Sequence, residues 1–144
     1  MSVISTFNQF AAAFEAAVTD NNWSQLSPFL GENVSYINIG GPDSKVTGRD
    51  AVINFLKNDV ENTDKRFDSR TLIALTPPLV NGSQLSRKWR CIYTLKNTPD
   101  LVTEGEARYL INNDLIEKIE EEATTDTIQK INEWMQQYAE RLQK

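Results

Sequence analysis

The chain has 144 residues, the size of one ordinary domain with a single substantial core. Lys and Arg total 15 against 20 Asp and Glu, and the resulting net charge of −5 opposes binding to a nucleic-acid backbone. The sequence shows neither a basic segment followed by an apolar run at its start nor about 18 consecutive apolar residues anywhere. We therefore expect a soluble, cytoplasmic protein that binds neither nucleic acid nor membrane.

Two residue types limit the chemistry that the chain can perform. The sequence contains no His, and its one Cys is Cys91. These counts exclude an internal disulfide, a CxxC metal site, every catalytic relay that needs His and most transition-metal sites. Acid–base work is left to Asp, Glu, Tyr and Lys, or to water held by Asn and Arg. We therefore expect no metal and no cofactor.

The first half of the chain is predicted to be mostly helical. Ser5 or Thr6 is expected to cap a helix that ends near residue 19, because apolar residues recur there at helical spacing. A short second helix is predicted over residues 23–30, and a third follows Gly48. Residues 57–65 are polar, so we expect this segment to be exposed.

The second half of the chain is predicted to form strands. Together with one strand from the first half, alternating residues predict strands at 34–39, 67–75, 84–95, 101–111 and 115–123. Residues 126–144 return to helical spacing, which favours a packed or partner-covering helix over a free tail. Helices followed by mostly antiparallel strands are typical of an α+β domain with helices on one face of a sheet.

Three segments carry a resemblance to a known family: Asn22-Trp23-x-x-Leu26, Tyr36-Ile37-Asn38 and Gly48-Arg49-Asp50-Ala51-Val52. In these segments and in its order of elements, the chain resembles the NTF2-like superfamily, and within it the SnoaL-like group. The resemblance implies an α+β cone, in which a curved, mostly antiparallel sheet wrapped by N-terminal helices holds an apolar pocket. It also implies a homodimer through the outer sheet face. Residues 1–124 would form this domain, and residues 125–144 an extra helix on the same domain or at a dimer interface.

Members of this superfamily include isomerases, dehydratases, cyclases, epoxide hydrolases and non-enzymatic binding modules, so the residues must decide between them. Ketosteroid-isomerase-like chemistry needs a carboxylate base and an acidic oxyanion hole. At the matching positions this chain has Phe14, Asn38 and approximately Ala107, so all three groups are missing. The dehydratase-like and cyclase-like mechanisms that depend on His are excluded by its absence.

The closest functional resemblance is to limonene-epoxide-hydrolase-like proteins, in which a Tyr, an Asn and an acid position the water that opens an epoxide. Tyr36, Asn38, Arg87 and Glu121 fall at the matching positions and are the candidate catalytic residues. Trp89 stands where the family has the Asp that protonates the epoxide oxygen. Because an indole N–H donates a hydrogen bond but is not a useful acid, we expect a poor epoxide hydrolase unless another acid substitutes. A pKa of Glu121 raised by burial would favour the enzyme.

The same residues also have a purely structural interpretation. Tyr36 would be a core aromatic residue, Asn38 would bond the loop that follows its strand, and Arg87 would form a cross-strand ion pair with Glu121. Strand alternation places Arg87 on one face with aromatic residues, and this wall suits an aromatic or acidic small ligand. The candidate ligand-binding residues are Phe14, Trp23, Phe55, Trp89, Cys91, Tyr93 and Tyr109.

Three functions therefore stay open at the level of the sequence. The first is the binding of a small hydrophobic or aromatic ligand in an apolar pocket. The second is a cofactor-independent hydrolase, isomerase or cyclase, in which Tyr36, Asn38 and Glu121 hold a nucleophilic water and Arg87 stabilises the leaving oxygen. The third is a protein-interaction module that uses the sheet face and the C-terminal helix, which a broad exposed apolar patch would favour.

Overall fold

The computed structural model describes residues 2–40 and 45–142, so the loop that Asn38 was expected to bond lies outside the described residues except for Gly40. Within these ranges the helices and strands are α1 (Val3–Asp20), β1 (Leu30–Ile39), β2 (Lys45–Thr47), α2 (Arg49–Asn62), β3 (Ser69–Ala74), β4 (Leu79–Asn81), β5 (Gln84–Thr94), β6 (Leu101–Asn112), β7 (Leu115–Ala123) and α3 (Thr125–Tyr138). Short 3₁₀ helices cover Trp23–Phe29, Asp64–Arg66 and Ala139–Leu142.

Helix α1 begins earlier than predicted. Its cap is Ser2, whose Oγ accepts a hydrogen bond from the backbone N–H of Ser5 at 3.1 Å, and Thr6 is buried in the first turn. The helix ends at Asn21, which adopts a left-handed conformation with φ of 62°, a conformation that Asn tolerates at helix ends. The prediction of a cap at Ser5 or Thr6 is therefore wrong, because the hydroxyl of Ser2 already satisfies the first turn.

The sheet has the strand order β2-β1-β7-β6-β5-β3, with β4 paired to β5. The pairing of β1 with β7 is parallel, and the other pairings are antiparallel. The predicted α+β architecture with a mostly antiparallel sheet is confirmed. Strands β2 and β4 were not predicted, because three residues are too few for alternation to be recognised.

One face of the sheet is covered by the helices. Burial alternates residue by residue along β6, so its odd-numbered side chains, from Leu101 to Ile111, point toward the helices. Helices α1 and α2 and the 3₁₀ helix Trp23–Phe29 pack here around buried residues such as Phe7, Leu26, Val52 and Ile119. This cluster is the larger of the two hydrophobic cores that the described residues form.

Helix α3 packs on the inner face of its own sheet, near the start of β6. Trp134 belongs to a second buried cluster with Phe67, Leu95, Leu101 and Leu142. Its indole Nε1 donates to the carbonyl of Pro99 at 2.9 Å, and the backbone N–H of Glu104 donates to Thr127 Oγ1 at 2.9 Å. The C-terminal helix therefore covers the part of the sheet that α1 and α2 leave open.

Helix α2 extends further than the composition of its second half suggests. Val52, Leu56 and Val60 are buried at helical spacing, and Asp64 after the helix faces the interior. The prediction that residues 57–65 are exposed is therefore wrong for Val60, which is 2% exposed, and for Asp64. None of the helices that the structure describes is long and apolar enough to cross a membrane.

Candidate functional site

A cavity of about 570 Å³ lies between the inner face of the sheet and the three helices. This volume is in the range of small-molecule sites. Its wall is largely apolar and aromatic, and it includes residues of both hydrophobic clusters: Phe10, Leu56, Val60, Phe67, Leu101, Ile131 and Met135. The cavity therefore lies where the two cores meet.

Strand register brings the four candidate catalytic residues to one region of the cavity wall. Asn38 of β1 is the direct neighbour of Glu121 of β7 in the parallel pairing. On the other side of Glu121 lies Ala107 of β6, and beyond it Arg87 of β5. Tyr36 precedes Asn38 by two residues and so points to the same face. Tyr36, Asn38, Arg87 and Glu121 all line the cavity.

Trp89 reaches Glu121 across a glycine. Trp89 of β5 pairs with Gly105 of β6, and a Cβ at Gly105 would lie 2.6 Å from the indole Cζ2 and 2.5 Å from the carbonyl oxygen of Glu122. The absence of a side chain at Gly105 lets the indole lie over β6. From there Trp89 Nε1 donates a hydrogen bond to Glu121 Oε1 at 3.2 Å.

Glu121 has a strongly perturbed acidity. Burial raises the pKa of its carboxyl from 4.5 to about 7, which outweighs the lowering by the Trp89 hydrogen bond and by the charges of Arg87 and Arg108. The charge of Asp59 adds to the increase. Both protonation states of Glu121 are therefore populated near neutral pH, as a proton-transferring group requires.

Arg87 does not form the ion pair with Glu121 that the structural interpretation predicted. Its guanidinium lies over the ring of Phe7, 5.1 Å from the centroid, and its buried Nε has no hydrogen-bond partner among the described residues. An unpaired buried donor is costly, so an acceptor oxygen at this position would be stabilised. The positive charge nevertheless acts on Glu121, because it lowers the pKa of that carboxyl.

Tyr36 and Tyr109 contribute hydroxyl groups that stay protonated. Burial raises the pKa of Tyr36 well above its ordinary value, and the charge of Glu121 raises it further. Burial and the charge of Glu121 also raise the pKa of Tyr109. The Tyr36 ring packs on Phe55 at a centroid distance of 5.0 Å. Both hydroxyls can therefore donate hydrogen bonds in the cavity but not act as bases.

Sequence reasoning missed a second polar cluster, which lies at the α1 side of the cavity. Arg70 Nε contacts Asp64 Oδ2 at 2.7 Å, and Arg70 Nη1 contacts Glu15 Oε1 at 2.8 Å. The hydroxyl of Tyr93 donates to Asp64 Oδ1 at 3.1 Å. Burial raises the pKa of Asp64, while Arg70 and Tyr93 lower it. The available signal was the alternation of β3, which places Arg70 beside Tyr93 on the inner face.

Five of the seven candidate ligand-binding residues line the cavity and two do not. Phe14, Trp89, Cys91, Tyr93 and Tyr109 line the cavity. The other two lie behind this wall: Trp23 packs edge-on against Phe14 at 5.6 Å, and Phe55 packs on Tyr36.

The acidity of Cys91 argues against a nucleophilic role. Cys91 is 4% exposed, and burial raises the pKa of its thiol. The thiolate, which is the nucleophilic form, is therefore disfavoured.

Comparisons with known proteins connect this geometry to one fold. No model of a protein family and no curated protein matches the chain. An NTF2-like protein from Anabaena variabilis superposes with a TM-score of 0.69 at 14% identity, over 87% of this chain and 91% of that one. An NTF2-like protein of unknown function from Cytophaga hutchinsonii gives 0.64 at 16% identity, over 85% and 100%.

A structure with a stated activity also matches. An LEH-like epoxide hydrolase of M. tuberculosis superposes with a TM-score of 0.64 at 11% identity, over 90% of this chain and 92% of that one. At such low identities a structural likeness shows the fold and not the activity. The chain has the NTF2-like fold, so the predicted NTF2-like fold is confirmed.

Proposed function

We propose that the cavity is the active site of a cofactor-independent hydrolase for a small, largely apolar substrate, with Glu121 as its general base. The observation that carries this proposal is the placement of Glu121. It lines the cavity, has one oxygen held by Trp89, and has a pKa of about 7 caused mainly by burial. A base with a pKa near the working pH combines the correct protonation state with a useful driving force for proton transfer.

The neighbours of Glu121 suit the activation of water. Asn38 lies directly beside Glu121 in the sheet, and Tyr36 lies two residues before Asn38 on the same face of β1. An amide and a hydroxyl therefore lie next to the carboxylate. Together these groups provide a donor and acceptors that can hold one water molecule against Glu121. Arg87 supplies the positive charge that stabilises an oxygen becoming negative.

The walls of the cavity support the class of ligand. Seven aromatic side chains line it: Phe10, Phe14, Tyr36, Phe67, Trp89, Tyr93 and Tyr109. Arg70 is occupied by Glu15 and Asp64, so this cation is not free to bind an anionic ligand. A small hydrophobic or aromatic substrate with one reactive polar group fits this arrangement.

The test is hydrolysis of a panel of small apolar esters, lactones and epoxides, with the Glu121→Gln variant beside the unmodified protein. General base catalysis contributes about 10²–10⁴-fold, so Glu121→Gln should lose activity by that factor. Glu122→Gln is the matched control, because Glu122 is the next residue of β7 and pairs with Arg108 at 3.0 Å outside the cavity. Equal activity in both variants would refute the role of Glu121.

A second proposal concerns assembly. Ile73, Leu75 and Leu79 are exposed by 38%, 41% and 68% near one edge of the sheet. We propose that this patch contacts a second copy of the chain, in line with the predicted homodimer. Sedimentation of the protein and of Leu79→Asp should show a dimer and a monomer, respectively, and a monomer in both would disprove the contact. The cytoplasmic location stays a prediction.

A further inference from the structure

The side chains that contact Glu121 or lie beside it on the cavity face of the sheet offer hydrogen-bond donors but no second acid. Trp89 offers an indole N–H, which is not acidic, and Arg87 offers guanidinium N–H donors. The pKa values of Tyr36 and Tyr109 are raised above the ordinary value of a tyrosine, so neither hydroxyl gives up its proton near neutral pH. On the sheet side of the cavity, Glu121 is therefore the group that can both take and return a proton.

Nor does the opposite wall present a second acid that is fixed in position and has a free oxygen. Asp64 has one oxygen on Arg70 and the other on the hydroxyl of Tyr93, and Glu15 is bound by Arg70. Asp59 lines the cavity from helix α2, and burial and the charge of Asp64 raise the pKa of its carboxyl, but the residue is exposed and no hydrogen bond or ion pair to another described residue fixes its position. Glu121 is therefore the carboxyl of this cavity that is both held in place and left with a free oxygen.

We propose, resting on the hydrolase function proposed above, that the substrate is an ester or lactone rather than an epoxide. We further infer that Trp89 is a positioning residue, which holds Oε1 of Glu121 so that Oε2 carries the proton. The two statements share one observation: the hydrogen bond from Trp89 to Glu121 replaces a second acid by a fixed, non-acidic donor.

A single carboxylate can carry out both proton transfers that the hydrolysis of an ester needs. Glu121 takes one proton from water as the water oxygen bonds to the carbonyl carbon, and the carbonyl electron pair moves onto its oxygen beside Arg87. The pair then reforms the carbonyl, the bond from carbon to the leaving oxygen breaks, and Glu121 returns the proton to that oxygen. Water and leaving oxygen are attached to the same tetrahedral carbon, so one carboxyl can reach both.

In the opening of an epoxide, one carboxyl cannot make both proton transfers. Water attacks the ring carbon from the side opposite to the breaking bond, so the leaving oxygen is remote from the base that deprotonated the water. That oxygen needs its own acid, and the loss of a general acid typically costs about 10²–10⁴-fold in rate. The donor set of this cavity therefore favours acyl substrates.

The first experiment compares the kcat/KM values of two substrates that carry the same phenyl substituent, a phenyl-substituted δ-lactone and styrene oxide. We expect the lactone to be preferred by about 100-fold or more, the low end of the contribution of a general acid. Equal hydrolysis, or a preference for the epoxide, would overturn the inference and leave the proposed hydrolase intact. Hydrolysis of neither substrate would overturn both.

The second experiment follows the pKa of Glu121 itself. In Trp89→Phe the ionised carboxylate loses a donor, so the pKa should rise by about one unit. The acid limb of the kcat profile should move by the same amount. A ¹³C NMR titration of the labelled Glu121 carboxyl, without substrate, gives a readout that does not depend on activity.

The matched control is Trp134→Phe, which also removes an indole donor. Trp134 donates to the carbonyl of Pro99 and does not line the cavity, so the pKa of Glu121 should not change. If Trp89→Phe does not fold, replacing Trp89 by 3-benzothienylalanine exchanges the N–H for sulfur and keeps the ring. An unchanged pKa in either Trp89 variant would refute the positioning role.

Discussion

Two of the carboxyl groups that line the cavity, Asp64 and Glu121, have opposite surroundings. Asp64 accepts from Tyr93 and Arg70, so both of its oxygens are occupied and it joins the turn after α2 to β3 and β5. Glu121 accepts one hydrogen bond, from Trp89, and has no ion pair in the described part of the chain. Burial raises the pKa of both groups. Burial alone therefore does not make a carboxyl reactive, because partners decide whether an oxygen is free to transfer a proton.

Arg70→Ala should give the largest effect on stability. It leaves Asp64 and Glu15 without their cation, and breaking a buried pair from one side typically costs about 3–5 kcal/mol. The side chains of Arg70 and Asp64 are only 14% and 10% exposed, which supports the use of this range. The measurement is the free energy of unfolding in urea.

Arg90→Ala serves as the matched control for that experiment. Arg90 pairs with Glu104 at 2.6 Å, but the two side chains are 41% and 35% exposed. Exposed pairs contribute about 0–1 kcal/mol, so this variant should remain close to the unmodified protein. Equal losses of unfolding free energy in the two variants would mean that the buried ion pairs of Arg70 do not stabilise the fold more than an exposed pair does.

Glu121→Gln should stabilise the protein at alkaline pH. The folded pKa of Glu121 is about 7 against 4.5 for the free group, so the folded state binds more protons between these values and the free energy of unfolding falls as pH rises through them. The full difference corresponds to about 3 kcal/mol at 1.36 kcal/mol per unit. The neutral variant avoids this loss. Urea titrations at pH 5 and pH 8 measure it, and a gain that is equal at both pH values would contradict the assignment.

Gly105→Ala should cost about 1–3 kcal/mol, the usual cost of overpacking. The added Cβ would meet the Trp89 ring and the carbonyl oxygen of Glu122 at 2.6 and 2.5 Å. The control is Gly31→Ala in β1, where the nearest atom would be 3.4 Å away, an ordinary contact. Thermal unfolding of both variants compares them, and an undisturbed Gly105→Ala protein would show that the indole does not need this space.

Tyr93→Phe should have the smallest effect of the series. It removes the hydroxyl that donates to Asp64 at 3.1 Å. A hydrogen bond to a charged group typically contributes about 1.5–3 kcal/mol to the free energy of unfolding. Because Arg70 still contacts Asp64, we expect a loss at or below the low end of that range. The free energy of unfolding is the measurement, with Tyr138→Phe as the control for the loss of a tyrosine hydroxyl in the second cluster.

The long helices and strands could be predicted from the sequence because helical spacing and strand alternation are local patterns. The spacing of Tyr36 and Asn38 predicts that they share one face of their strand. Arg87 and Glu121 became candidates through the resemblance to limonene-epoxide-hydrolase-like proteins. Strand alternation, applied to β3, would have turned Arg70 inward. Alternation alone does not identify Arg70 as part of a buried cluster, because charged residues are usually exposed and its partners Glu15 and Asp64 lie on other elements.

Other features depended on contacts that no local pattern contains. The hydrogen bond between Trp89 and Glu121 spans three strands and requires the glycine between them. The position of α3 on its own sheet depends on the fit of Trp134 between Phe67 and Tyr138, at centroid distances of 5.3 and 5.4 Å. Such contacts join residues distant in sequence, so they emerge only when the whole sheet is assembled.

The parallel pairing of β1 with β7 has a consequence for the order of folding. Strands β5, β6 and β7 follow one another as antiparallel neighbours, whereas β1 meets β7 only after most of the chain lies between them. Contacts of such long sequence separation carry the largest loop-closure entropy and tend to form slowly. Asn38 and Glu121 are joined by this pairing, so we expect them to come together late. The local hairpins of β5, β6 and β7 would by then have placed the aromatic side chains of Trp89, Tyr93 and Tyr109.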